Sequence, residues 1–308
     1  MAACDIREIE VNDGLMPIGK NLWNFLRTAS HHSELSEQRQ FWIDQIVIDQ
    51  ANIEERNHQV MQMAEIYRSA KEVLIWLGLE PESFEVLGRP YFEILAFKIS
   101  QARADPDERV IPMTRQHIFL EALGSSYWSR QWVRQELLLA RSIKLQWGDG
   151  QLSWIDFIHA ANSFKAVFPR PSENENYIFI SFIEQMRIER ISGIGATFGL
   201  NWRQVLYFCR NTECADPRDK IYAMLGVVNA RVTISPNYNL RLEEVVIQML
   251  RAQATDEEAL NVDLPSLAQG WISELQIGSL SGTSIMMVVN RLLQSREHLR
   301  EQMDHYSY

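Results

Sequence analysis

One acid stands out among the residues whose types could do chemistry. The stretch YWSRQWVRQELLLARS, residues 127–142, is patterned like a helix that should be buried, and Glu136 sits in its middle. On a helix, the side chains that meet a given residue lie three and four positions away. For Glu136 these are Trp132, Val133, Leu139 and Ala140, none of them basic, while Arg134 and Arg141 point elsewhere. An unpaired buried carboxylate is costly or has a raised pKa. Glu136 is therefore at the edge of the apolar stripe, paired with a distant residue, or part of a site. From the residues alone, the first two readings outweigh the third.

Two further acids belong to FWIDQIVIDQ, residues 41–50. This almost continuous apolar run reads as a strand buried on both faces of a parallel sheet. Asp44 lies inside it and Asp49 at its carboxyl end, where open parallel sheets bind ligands. The ordinary roles are a cap or loop for Asp49 and an arginine pair across the sheet for Asp44. Either acid could also line a crevice with Glu136.

Other candidates carry less. Ser192–Gly199, SGIGATFG, has its third glycine displaced from dinucleotide-loop spacing and no strand before it. His31 and His32 stand in a polar loop without a second pair. Cys4, Cys209 and Cys214 are too few for a disulfide framework and have no nearby histidine to complete a zinc site, so they read as free thiols. No metal site or resident cofactor is expected.

The elements that would position these residues follow from periodicity. Leu22, Phe25, Leu26 and Ala29 share one helical face, as do Val60, Met63, Ala64 and Tyr67, and Asn52 with Glu55 can cap the second of these helices. VLIWLG at 73–78 reads as a buried strand, and IKLQWGDGQLSW at 143–154 as a strand and turn. Ser153 and Asp156 form a capping pair. In DPRDKIYAMLGVV, residues 216–228, Asp216 reads as an N-cap, Pro217 as the first helical residue and Asp219 as the acid three positions on. Arg218 is expected to join the two halves of the chain through an ion pair, and Gly226 to mark a tight helix contact or an early end. YFEILAFKIS at 91–100 reads as a helix. Strand signals fade beyond residue 150.

With 308 residues, 46% hydrophobic and 23% charged, the chain should bury a globular core. A net charge of −10 without a basic stripe argues against a nucleic-acid partner. No apolar run is long enough to span a bilayer, and the acidic N-terminus has no apolar core for a secretory signal. The expectation is a soluble, cytoplasmic protein.

Three separated stretches, residues 41–78, 127–142 and 214–228, resemble the fungal heterokaryon incompatibility (HET) domain. The family pattern runs L-W-I-D-x-I-C-I-N-Q, E-R-x-x-Q-V, I-Y-x-x-A and W-L-G, then R-x-W-x-x-Q-E and D-P-R-D-K-I-Y-A-L-L-G. Here Val47 and Asp49 replace the cysteine and asparagine often found in the family. The family's usual opening strand, Y-x-A-L-S-Y-x-W-G, has no counterpart. The resemblance implies an α/β, parallel-sheet domain over residues 15–150, similar to the Toll/interleukin-receptor (TIR), flavodoxin-like fold but lacking its first strand. A mainly helical region, 151–308, would follow.

It also implies a role in non-self recognition and programmed cell death, as an interaction and signalling module with a protein partner and possible self-association. WVRQE resembles the motif of NAD-cleaving members of the TIR fold. By that resemblance Glu136 would be catalytic, Trp132, Asp44 and Asp49 would bind substrate, and NAD would be a substrate rather than a cofactor. A carboxylate can stabilise the oxocarbenium charge that develops as nicotinamide leaves.

Overall fold

The computed structural model describes residues 5–31, 40–79, 122–167, 175–192, 199–228, 234–255 and 262–305. The chain is mixed α/β and divides into two compact units. The first comprises residues 1–49, 70–128 and 140–184, and the second residues 50–69, 129–139 and 185–308. The helix expected at 91–100 lies outside the described residues.

The first unit opens with an antiparallel hairpin, β1 (Ile6–Val11) and β2 (Gly14–Gly19). Asn12 and Asp13 form its turn with φ of 49° and 64°. Two successive left-handed residues match the right-handed twist of paired strands. The region expected to hold no strand therefore holds two, in a separate two-stranded sheet. Helix α1 (Lys20–His31) follows and buries Phe25 and Ala29. Leu22, Leu26, Ile43, Leu74 and Trp76 pack around that pair.

FWIDQIVIDQ is not a strand. It contains one helical turn, α2 (Asp44–Val47), between extended residues Ile43 and Ile48. Asp44 Oδ1 accepts the Gln45 N–H at 2.7 Å, a local bond that competes with a strand ladder. The run is also not buried on both faces, since Phe41 and Val47 are exposed. The parallel-sheet strand expected over this run therefore does not form.

The main sheet has three strands in the order β3 (Val73–Trp76), β4 (Ile143–Trp147) and β5 (Gly150–Ser153). β3 and β4 run parallel, with Val73 opposite Ile143, while β4 and β5 form an antiparallel hairpin. The sheet is mixed rather than purely parallel. Ile75 and Leu145 are buried in it. Helix α5 (Trp154–Val167) starts at the expected cap, where the Asp156 N–H donates to Ser153 Oγ at 3.2 Å. Phe157 on α5 stacks on Trp128 at 5.8 Å, and the Trp128 indole donates to the Ala122 carbonyl.

The described elements of the second unit are helical. They are α3 (Ile53–Ser69), α4 (Val133–Leu139), the later part of α6 (Glu175–Ser192), α7 (Trp202–Cys209), α8 (Asp219–Tyr222), α9 (Leu242–Thr255), α10 (Leu264–Glu274) and α11 (Ser279–His305). α3 buries Val60, Met63, Ala64 and Tyr67, as its spacing predicts. The Glu55 N–H donates to Asn52 Oδ1 at 3.2 Å, which caps it. Gly226 lies against α3 so closely that a Cβ there would overlap Ala64 and come within 2.7 Å of Gln135 Nε2. α4 packs on α3. Its last carbonyls, at Leu137 and Leu138, accept guanidinium bonds from Arg187 at 3.0 Å and Arg190 at 2.8 Å. Arg296 does the same for the carboxyl end of α9, donating to Gln253 and Ala254. Among the described residues, no helix is long and apolar enough to cross a membrane.

Candidate functional site

The densest polar cluster in the second unit grows out of DPRDK. Asp216 uses both carboxylate oxygens on Arg218: Oδ1 accepts its backbone N–H at 3.0 Å and its Nε at 2.8 Å, and Oδ2 accepts Nη2 at 2.7 Å. This bidentate pairing is the strong form of an ion pair. It closes locally instead of joining the halves of the chain. The Asp219 N–H then donates to the Asp216 carbonyl at 2.9 Å, and α8 begins. The N-cap of α8 is Arg218 rather than Asp216, Pro217 precedes the helix, and neither aspartate caps it as expected; Asp216 instead takes the Arg218 N–H in the turn before it.

Asp219 points inward instead. Its carboxylate accepts a bond from the Tyr238 hydroxyl and lies 3.5 Å from the Arg56 guanidinium, and the Trp132 indole is a further polar neighbour that favours its charged form. Arg56 also reaches Asp216 at 3.5 Å, and its guanidinium carbon stands 3.5 Å from the centre of the Tyr238 ring. Cation, ring and two carboxylates thus share one node, and each desolvated charge has an opposite partner.

The protonation behaviour follows from these contacts. Burial alone would raise Asp216, but the bonds and charge of Arg218, helped by Arg56, hold it below the ordinary carboxylate value. Burial pushes Asp219 up, and Tyr238, Arg56 and Trp132 only partly oppose that. Burial, then the charge of Asp219, raises the Tyr238 phenol well above its usual value. Tyr238 is therefore a standing donor to Asp219.

A second polar layer supports the first. Lys220 Nζ donates to Glu274 at 2.6 Å and to the Cys209 carbonyl at 2.8 Å. The Cys209 thiol donates to the Lys220 carbonyl at 3.3 Å and is pushed up to about 12 by burial. A thiol with so little thiolate is not a nucleophile. Gln131 Nε2 contacts Cys209 Sγ at 3.2 Å, and its Oε1 accepts the Thr212 hydroxyl at 2.6 Å. Among the described residues, no group of three or more metal-ligating side chains is assembled.

Of the acids and aromatics singled out in the sequence, Trp132 enters the cluster as an electrostatic neighbour of Asp219. Glu136 lies one turn further along. Its N–H donates to the Trp132 carbonyl at 3.2 Å, and its side chain is half-buried. Asp44 and Asp49 belong to the first unit, where Asp44 is half-buried at the start of α2 and Asp49 is exposed. Sequence reasoning singled out neither Arg56 nor Tyr238. Arg56 nonetheless lies inside ERNHQV, within the family-like stretch 41–78, whereas Tyr238 lies outside the three stretches.

Comparison with known proteins places these contacts in context. Residues 2–136 match the family described as Heterokaryon incompatibility protein (HET). Heterokaryon incompatibility protein 6, OR allele, of Neurospora crassa is 45% identical over 75 residues, which cover 22% of this chain and 11% of that protein. The alignment thus spans about a ninth of the relative's length. No solved structure matches the chain. The cluster joins Arg56 and Trp132, inside the family segment, to Asp216, Arg218, Asp219 and Tyr238, beyond its end.

Proposed function

We propose, proceeding from the membership of residues 2–136 in the heterokaryon incompatibility (HET) family, that the chain is an interaction and signalling module of a fungal incompatibility system. In this reading it engages a protein partner when unlike cells fuse and helps to commit the fused cell to death. The observation that carries it is the saturation of the DPRDK cluster. Asp216, Asp219, Arg56 and Arg218 are partnered by one another and by Tyr238 and Trp132. Charges spent on each other hold neighbouring segments together and are not free to attack a substrate. The test is survival of fused hyphal cells that differ only in whether this chain is expressed. Survival unaffected by the chain across a panel of tester strains would sink the proposal.

A second reading, NAD hydrolysis, is favoured by one feature. Trp132, an electrostatic neighbour of Asp219, lies one turn before Glu136, whose N–H donates to the Trp132 carbonyl at 3.2 Å. An aromatic ring one turn from a half-buried carboxylate suits a planar base and a developing positive charge on ribose. In that reading Glu136 stabilises the oxocarbenium ion and Trp132 covers the base. NAD is then the substrate, and the parallel β3–β4 pair is what remains of a TIR-like sheet. An NAD-consumption assay on the purified chain separates the readings, since this one requires turnover that Glu136→Gln abolishes.

A further inference from the structure

We infer that residues 234–240, ISPNYNL, form a strap latched by side chains from outside it, and that this latch holds up one wall of an open cavity. The segment is irregular and has no ladder partner among the described residues. Its internal bonds are short-range: the Asn239 N–H donates to Asn237 Oδ1 at 3.0 Å and the Leu240 N–H to the Asn237 carbonyl at 3.2 Å.

The remaining main-chain bonds end on side chains of other elements. Tyr222 Oη bonds both the N–H and the carbonyl of Asn237, at 3.2 Å and 3.1 Å. Asn57 Oδ1 on α3 accepts the Tyr238 N–H at 2.9 Å. Arg218 Nη1 donates to the carbonyls of Tyr238 and, at 2.7 Å, Leu240. The Tyr238 side chain is the bolt. It is 4% exposed, its hydroxyl is on Asp219, one face of its ring is against Arg56, and its edge meets the Tyr222 ring at 5.2 Å.

The open cavity that this strap borders measures about 730 Å³. The strap supplies one wall through Pro236 and Asn237, with Glu54 and Asn57 of α3 and Gln248 and Arg251 of α9 across from it. A wall held by side-chain bonds rather than a ladder opens locally, at a free energy below that of global unfolding. A ligand that takes the carboxamide of Asn57 or Asn237 competes directly with the strap, so occupancy of the cavity and opening of the strap are linked. The inference stands apart from the incompatibility reading, because it concerns only how this wall is held.

Amide hydrogen exchange on the wild-type chain, Tyr238→Phe and Asn57→Ala tests it. Tyr238→Phe keeps the ring and removes only the hydroxyl bond to Asp219. The amides of Asn237 and Leu240, whose bonds neither variant touches, should exchange about fivefold faster or more. Amides of α9 should stay at wild-type rates, and low denaturant should leave strap exchange unchanged. Asn57→Ala carries the same test should Tyr238→Phe fail to fold. Wild-type rates at Asn237 and Leu240, or equal acceleration in strap and α9, would overturn the inference and make the segment part of the cooperative core.

Discussion

Asp216 and Asp219 are neighbours in one motif, yet their environments shift them in opposite directions. Asp216 is held below the ordinary value of 3.8, so the stability it contributes is complete above 3.8 and is lost as pH falls through its own lower value. Asp219 is raised, so its contribution is present below 3.8 and is lost as pH rises through its higher value. In urea unfolding at a series of pH values, Asp219→Asn should therefore lose less stability than the wild type as pH rises from 3.8 towards neutrality. Asp216→Asn should flatten the loss below 3.8. Asp216→Ala strands Arg218 and also removes the acceptor of its N–H. It should cost about 2–3 kcal/mol at neutral pH, read as a shift of the urea midpoint. Cys209, buried and raised to about 12, should remain unreactive toward a thiol reagent at mildly alkaline pH until the chain unfolds. At this scale the DPRDK motif was legible because its first bonds are local. Arg56 and Tyr238 were not, since their pairings reach Asp216 and Asn57 across 160 and 181 residues and no periodicity encodes them.

Elements divide along the same line. α1, α3 and α5 follow from their apolar spacing and caps, and β3 from its short buried run. FWIDQIVIDQ misled because a short apolar run fits a buried strand and a loop with one helical turn equally well. The local bond of Asp44 decides for the turn. The opening hairpin was missed although Asn12-Asp13-Gly14 is a turn signal at the right place. Asp13→Gly should relieve the left-handed φ of 64° and slow hydrogen exchange across β1 and β2 by a few-fold. Gly226 was read as a tight helix contact or an early end, and the structure makes it a tight contact. Gly226→Ala should cost about 1–3 kcal/mol in the same urea assay, because the methyl group meets Ala64 on α3. A smaller loss would mean that α3 can shift away.

For the whole molecule, the family segment ends at residue 136, but the cluster that organises the second unit needs Asp216 to Tyr238 as well. A fragment cut at 136 should therefore leave Arg56 and Trp132 without their partners and should not hold α3 and α4 in place. The central claim is that the chain acts by interaction rather than by chemistry at Glu136. Its most direct test is survival of fused cells expressing the wild-type chain or Glu136→Gln, each checked for equal abundance and an unchanged urea midpoint. The interaction account predicts that both lower survival to the same extent. Death caused by the wild type and abolished by a folded, equally abundant Glu136→Gln chain would contradict it.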